Sequence, residues 1–79
     1  MNATTAILST LASLNIECNG PVSAESVIYF SKADTYFELS PWFDTRTDDA
    51  RREFARLVAS GAIKKVGYTA SGVESFVAA

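Results

Sequence analysis

The sequence has no histidine, a single cysteine (Cys18) and only two prolines among its 79 residues. Without histidine, the imidazole-activated nucleophiles of common hydrolases cannot form, and one thiol supports neither an internal disulfide nor a cysteine-based zinc or iron–sulfur site. No apolar run approaches the roughly 20 residues of a membrane-spanning helix, and no signal peptide is recognisable. We therefore expect a cytoplasmic domain that has no membrane partner, metal, cofactor or catalytic residue, and hence is not an enzyme.

Basic residues are slightly outnumbered, with seven Lys and Arg against nine Asp and Glu and a formal net charge of −2. The bases are concentrated, since residues 46–65 contain six basic and three acidic side chains. The sequence leaves two interpretations of this excess open. It is either a solvated helix face with ion pairs between neighbouring turns, or a local positive surface for an acidic partner such as DNA.

What the chain does contain is typical of one small globular domain. It has 48% hydrophobic and 20% charged residues, a composition that favours folding over disorder. No stretch is long enough to act as a linker, so we expect a single domain over residues 1–79. A core of this size leaves function to the surface, which favours a non-catalytic binding module.

Two helices are predicted in the first half of the chain. The first runs from Asn2, its N-cap, to about Leu14, with Asn15 as its end. Its apolar stripe consists of Ile7, Leu8, Leu11 and Leu14. A turn over residues 19–21 leads to a second, short helix that is capped by Ser23.

The third helix has the strongest pattern. Thr47 is predicted as its N-cap, acidic residues follow in the first turn, and Gly61 ends it. The apolar positions at helical spacing are Ala50, Phe54, Leu57 and Val58. Arginines occupy the opposite side of this helix, which therefore predicts one face against the core and one charged face toward solvent.

Beyond the third helix, the sequence predicts a short strand over residues 62–66, with Gly67 as a turn or bulge. The tail is compatible with a strand or a helix. Its apolar residues are spaced by three and four positions, which fits a helix better than a strand. These residues are Val73, Phe76 and Val77. We therefore expect a short C-terminal helix that is capped by Thr69.

Residues 34–44 carry a dense group of aromatic side chains around a Ser-Pro pair, which prevents a helix from running through. They are Tyr36, Phe37, Trp42 and Phe43. The sequence does not choose between helix, strand and loop over residues 34–45. The aromatic residues either fill the small core or, where exposed, anchor a protein partner, because Trp, Tyr and Arg dominate binding hot spots. In the second case we expect Tyr36, Trp42 and Phe43 as anchors, with Arg46 at the rim.

The stretch LVASGAIKKVGYTASGVESF resembles the end of a winged helix-turn-helix domain. In that family the recognition helix ends in an apolar residue, a glycine and a β-branched residue, a short wing strand follows, and a Thr-x-x-Gly caps a last helix. The corresponding positions are Leu57, Gly61, Ile63, Thr69 and Gly72. The upstream GPVSAESV resembles the segment that enters the second helix of that fold. The chain departs from the family in its long connection over residues 34–45 and in its short wing region, residues 64–68.

The resemblance implies a mainly α fold with a small β element, arranged as a winged-helix-like three-helix core plus a short C-terminal helix. It also implies a small DNA-binding transcriptional regulator, with double-stranded DNA as its partner and a homodimer as a possible form. The DNA contacts it assigns are Arg46, Thr47, Arg51, Arg52 and Arg56 on the third helix, with Lys64 and Lys65 on flanking phosphates. Acidic residues at the start of the same helix oppose such contacts, because they repel phosphate.

The alternative partner is a protein. A free-standing acidic domain without catalytic residues is similar in size and character to the small proteins that phages use to block host enzymes or defence complexes. On this interpretation the chain is a protein-binding inhibitor or adaptor. The two alternatives predict different behaviour, because DNA binding weakens steeply with salt whereas a protein complex depends on aromatic anchors.

Overall fold

The computed structural model describes residues 1–79 and contains three α-helices, one 3-10 helix and an antiparallel sheet of two strands. In chain order the elements are α1 (Ala3–Glu17), α2 (Ala24–Ser31), the 3-10 helix (Ala33–Tyr36), α3 (Arg46–Ser60), β1 (Ile63–Tyr68) and β2 (Glu74–Ala78). The prediction of a mainly α fold with a small β element is confirmed. The predicted C-terminal helix is wrong, because that segment forms β2.

Side-chain caps begin the first two helices as the sequence predicts. At the start of α1 the Asn2 side chain accepts a hydrogen bond from the Thr5 N–H at 2.8 Å. At the start of α2 the Ser23 hydroxyl accepts one from the Ser26 N–H at 3.2 Å. Each cap satisfies an amide that has no partner inside its helix. The predicted turn between the helices is present, with Asn19 in the left-handed region at φ 54°.

Helix α3 begins earlier than predicted and ends where predicted. Its N-cap is Thr45, so the assignment of Thr47 to this position is wrong. The carboxylate of Asp44 accepts a hydrogen bond from the Arg46 backbone N–H at 3.2 Å and takes the place of a hydroxyl cap. A carboxylate is favourable there because the start of a helix carries partial positive charge. Gly61 ends the helix at φ 87°, a conformation that glycine adopts without a steric penalty.

The two strands form a hairpin whose register shifts between Lys65 and Gly67. Of the two alternatives predicted for Gly67, a turn or a bulge, the structure therefore has the bulge. The Thr69 N–H donates to the Val73 carbonyl at 2.7 Å and closes the hairpin loop. The Thr69 hydroxyl accepts from the Val73 N–H at 3.1 Å. Gly72 completes the turn at φ 84°. Thr69 is therefore a loop residue and not the helix cap that the sequence predicted.

Long-range hydrogen bonds explain why the tail is a strand. Strand β2 lies between β1 and Val22, which exchanges backbone hydrogen bonds with Phe76 at 3.0 and 2.8 Å. The Asn15 amide, inside α1 and not at its predicted end, donates to the Phe76 carbonyl at 3.2 Å and accepts from the Ala78 N–H at 2.9 Å. The Phe76 ring also packs edge-to-face on Phe54, with centroids 4.9 Å apart. So short a segment is marginal as an isolated helix, whereas as a strand its backbone is satisfied on both sides.

The core lies between the three α-helices and the sheet. Its largest fully buried side chains are Ile7, Leu11, Val27 and Ile63. The predicted stripe of α1 is confirmed, since Ile7, Leu11 and Leu14 are buried and Leu8 packs against them. Burial of one such side chain stabilises the fold by about 1.5–3 kcal/mol. This packing fixes α3 with its apolar side inward and its arginines outward.

Candidate functional site

The residues predicted to contact DNA lie on two consecutive elements. Helix α3 carries the first five and β1 the last two: Arg46, Thr47, Arg51, Arg52, Arg56, Lys64 and Lys65. All of them are exposed except Arg46, which is half-buried. They are accessible to a ligand, and their effective charge depends on the partners that each has within the chain.

Arg46 is held by a carboxylate just before it in the chain. Its Nε and Nη2 atoms each donate to an oxygen of Asp44 at 3.0 Å. The side-chain hydrogen bond from Arg46, followed by the one from its backbone N–H, lowers the pKa of Asp44 to about 2. The same contact raises the pKa of Arg46. Because the guanidinium fork is already bound in two places, Arg46 has little capacity left for a guanine edge or a phosphate.

Arg51 joins α3 to α2. Its Nε and Nη2 atoms donate to the Glu25 carboxylate at 3.0 and 3.3 Å, and its Nη1 atom donates to Asp48 at 3.0 Å. The hydrogen bond with Glu25 is the largest cause that raises the pKa of Arg51, and the one with Asp48 adds to it. Arg51 therefore carries a contact between two helices and is balanced by two carboxylates.

The remaining arginines of α3 pair along the helix. Arg52 donates to Asp49, and Arg56 donates to Glu53 with Nε at 2.9 Å and Nη2 at 2.6 Å. Glu53 is partly buried and also accepts a hydrogen bond from the Thr4 hydroxyl of α1. Hydrogen bonds from Arg56 first and Thr4 second lower the pKa of Glu53 to about 2. These pairs are the solvated helix face that the sequence allowed as one of its two interpretations.

The lysines of β1 differ from each other. The Nζ atom of Lys65 lies 3.2 Å from the Tyr68 hydroxyl and 3.2 Å from a Glu74 oxygen. It also lies 4.8 Å from the centroid of the Tyr68 ring. The hydrogen bond with Tyr68, followed by the one with Glu74, raises the pKa of Lys65. Lys64 has no ion pair, so it is the one base of residues 46–65 without a carboxylate partner.

The positive excess of residues 46–65 is thus cancelled within the fold. Six bases and three acids in that segment leave three positive charges. Carboxylates from outside the segment, on Glu25, Asp44 and Glu74, lie against three of its bases. The face that the sequence marked as basic is therefore close to neutral, which weakens its attraction for a polyanion.

The aromatic side chains in the segment 34–44 are mostly exposed. Trp42 and Phe43 are 82% and 72% exposed, and Tyr36 is 44% exposed. Phe37 alone packs against the core. The interpretation that these side chains fill the core is therefore wrong for Tyr36, Trp42 and Phe43, because the three helices and the hairpin already enclose the core without them.

The backbone that carries Trp42 and Phe43 has few contacts with the rest of the chain. No backbone–backbone hydrogen bond involves residues 38–44. The Trp42 N–H donates to the Ser40 hydroxyl at 3.2 Å, which is a local contact. At its end the segment is fixed to α3 by the pair between Asp44 and Arg46. The segment is a loop that holds large apolar side chains away from the body of the protein.

Two further aromatic residues lie on the surface, although the sequence predicts Tyr29, like Tyr68, as a core residue whose hydroxyl alone reaches the surface. That prediction is wrong, since Tyr68 is 65% exposed and Tyr29 is more exposed still. Tyr29 and Phe30 of α2 are 74% and 62% exposed and contact each other edge-to-face at 5.0 Å. The signal for them is the run Val27 to Phe30, because four consecutive apolar residues in a helix extend around its whole circumference. Val27 and Ile28 are buried, so the next two residues point to solvent.

A shallow cavity of about 440 Å³ joins these residues to the start of α3. Tyr29 and Phe30 line it together with Asp34, Thr35 and Thr47. It therefore connects α2 and the 3-10 helix to the point where the loop of residues 37–45 enters α3. We refer to the exposed aromatic side chains of α2, the 3-10 helix and the loop before α3 as the aromatic surface, which consists of Tyr29, Phe30, Tyr36, Trp42 and Phe43.

The structure contains no group of three or more His, Cys, Asp and Glu side chains arranged to hold a metal ion, and Cys18 is exposed. None of its helices combines the length and the apolar composition that crossing a bilayer requires. Comparison of the chain with protein-family models, curated proteins and solved structures finds no match.

Proposed function

We propose that the chain is a non-catalytic protein-binding module, an inhibitor or adaptor, that binds its partner through the aromatic surface. The observation that carries this proposal is the exposure of Trp42 and Phe43, at 82% and 72%. Isolated apolar residues are common on protein surfaces, but a group of large aromatic side chains marks an interaction site. Tryptophan and tyrosine are also the residue types that contribute most to binding hot spots.

The loop geometry supports the same proposal. Residues 38–44 make no backbone–backbone hydrogen bond, yet Asp44 is pinned to Arg46 at the end of the loop. This combination lets Trp42 and Phe43 adapt to a partner while their position on the molecule stays fixed. Arg46, which is half-buried where the loop ends, serves as a rim residue whose guanidinium is already oriented by Asp44.

DNA binding is the second candidate, since the order of the elements favours it. The succession of α3, Gly61 and a two-stranded hairpin supports the winged-helix interpretation, and Lys64 on that hairpin has no carboxylate partner. Against it, the arginines of α3 would have to leave Asp44, Glu25 and other carboxylates before they could contact phosphate. We rank it second for this reason.

Differential affinity purification tests the leading proposal. The wild-type chain and the variant W42A/F43A serve as baits in extract of the cells that encode the protein, with Y68A as the matched control. Tyr68 is also an exposed aromatic residue, but it lies on β1 outside the aromatic surface. We expect one partner that the wild type and Y68A retain and that W42A/F43A loses. A partner retained equally by all three baits contradicts the proposal.

Fluorescence anisotropy with a random-sequence DNA duplex tests the second candidate. Phosphate contacts predict binding at low salt whose affinity falls by about one unit of log–log slope for each contact. If DNA is the partner, the variant R52E/R56E loses this binding and W42A/F43A keeps it. Our own expectation differs: because the arginines are paired within the fold, the wild type should show no salt-dependent binding to the duplex. Tight binding that R52E/R56E abolishes would make DNA the partner.

A further inference from the structure

We infer that the partner's docking site is an apolar surface flanked by lysine and arginine side chains, an inference that rests on the proposed function. The aromatic surface supplies the apolar component of the interface. The charges around it select among the partners that could cover it, because complementary charge governs which surfaces associate. Both the sign and the place of these charges follow from the ion pairs of the fold.

The net negative charge of the chain is located around the aromatic surface. The charged residues of this region, from α2 to the first turn of α3, are six carboxylates and two bases. They are Glu25, Lys32, Asp34, Glu38, Asp44, Arg46, Asp48 and Asp49. Their balance is four negative charges, whereas the other three carboxylates and five bases of the chain leave two positive charges and bring the formal net charge to −2. Arg51 and Arg52, in the next turn of α3, pair with Glu25, Asp48 and Asp49.

Two of these carboxylates form no ion pair within the fold. Asp34 and Glu38 have no ion pair, whereas Asp44 is held by Arg46. Asp34 lines the cavity beside Tyr29, as does the unpaired base Lys32, and Glu38 is an exposed residue of the loop that carries Trp42. Unpaired carboxylates next to exposed aromatic side chains are positioned to meet cationic groups when a partner covers the aromatic rings.

The same charges argue against other occupants. In a second copy of this chain, Asp34 and Glu38 would approach their own equivalents, and like charges at an interface are unfavourable. DNA carries one negative charge per phosphate and would meet the same repulsion. An apolar site with a basic rim removes both problems, because its cations neutralise the carboxylates while its centre buries Trp42 and Phe43.

A displayed library of random peptides tests the inference with a defined probe. The wild-type chain selects binders, and W42A/F43A removes those that do not need the aromatic surface. We expect the remaining peptides to combine apolar residues with an excess of Lys and Arg. Their affinity should fall about tenfold in D34N/E38Q and should weaken with added salt, since the attraction is electrostatic.

A charge-matched control separates local from global charge. The variant A59K/A70K raises the net charge by the same amount as D34N/E38Q, but at exposed alanines on α3 and in the hairpin loop. We expect it to leave peptide affinity within about twofold of the wild type. Equal weakening by both variants would overturn the inference, as would selected peptides without basic residues that still require Trp42.

The failure of the proposed function gives a different result. If no selected peptide depends on Trp42 and Phe43, the aromatic surface is not the binding surface, and the inference falls with it. Analytical ultracentrifugation of the wild-type chain tests whether a second copy of the chain occupies the aromatic surface. A dimer that W42A/F43A dissociates would show that a second copy covers the surface and would overturn the basic partner while keeping the surface itself.

Discussion

The carboxylate of Asp44 accepts two side-chain hydrogen bonds from Arg46, from Nε and Nη2, each at 3.0 Å, and a third from its backbone N–H at 3.2 Å. One residue therefore caps α3 and fixes the end of the loop that carries Trp42 and Phe43. The sequence predicted that Arg46 contacts DNA or lies at the rim of a protein interface. Its pairing with Asp44 favours the rim, because the guanidinium is held at the end of the loop that carries Trp42 and Phe43.

Replacement of Asp44 by Asn tests this connection. Loss of the charged acceptor should release the end of the loop, so that amide hydrogen exchange at Arg46 becomes faster by about tenfold while exchange in the middle of α3 stays unchanged. Hydrogen exchange measured by NMR gives both rates. The control is D48N, which removes a carboxylate of the first turn that pairs with Arg51 instead. Equal acceleration in both variants would contradict a specific role for Asp44.

Glu53 makes the free energy of unfolding depend on pH in the acid range. Its pKa is about 2 in the folded protein, below the ordinary value of 4.5, because Arg56 and then Thr4 hydrogen-bond to the charged form. The unfolded chain therefore binds a proton before the folded one does. The stabilisation is complete above about pH 4.5 and is lost as the pH falls toward 2, and it amounts to on the order of 2 kcal/mol.

The variant E53Q shows this contribution directly. We expect urea denaturation to give a smaller free energy of unfolding than the wild type at pH 7 and a difference that shrinks as the pH falls below 4. The control E74Q changes a more exposed carboxylate on β2 and should alter stability much less. The account of Glu53 is wrong if E53Q and the wild type lose stability in parallel over this pH range.

Asn15 connects α1 to the C-terminal strand. Its amide reaches the carbonyls of Gly20 and Phe76 and the N–H of Ala78 at 3.0, 3.2 and 2.9 Å. In N15A these groups lose a partner, and we expect the free energy of unfolding to fall by about 1–3 kcal/mol. S13A, on the exposed side of α1, is the control. Thermal melting that is the same for N15A and the wild type would show that β2 does not depend on this residue.

The helices could be predicted from the sequence because their signals are local. The spacing of Ile7, Leu11 and Leu14 and the caps Asn2 and Ser23 act within one or two turns. The run from Val27 to Phe30 carried a further local signal, which identifies exposed aromatic residues once the periodicity of α2 is taken into account.

Strand β2 could not be predicted in this way, because its stabilising contacts are distant in sequence. They come from Val22, Asn15 and Phe54, and nothing in the spacing of the tail residues encodes these partners. Local pattern alone favoured a helix there. Tertiary hydrogen bonds and packing override a weak local preference in so short a segment.

The candidate site was predicted in part. Residues Tyr36, Trp42 and Phe43 are exposed, as the protein-binding interpretation requires. The positive charge of the α3 face was overestimated. A count of charges along residues 46–65 includes Arg51, but it does not include Glu25, which pairs with Arg51 from another helix. Charges that are far apart in sequence cancel only when the fold brings them together.

The affinity of W42A for the captured partner, measured by titration calorimetry beside its melting temperature, tests the central claim most directly. Removal of an interface anchor costs about 2–4 kcal/mol, so the complex should weaken at least about thirtyfold. Because Trp42 is 82% exposed, the melting temperature should stay within about 2 °C of the wild type. A W42A chain that unfolds, or one that folds and binds as tightly as the wild type, would contradict the account.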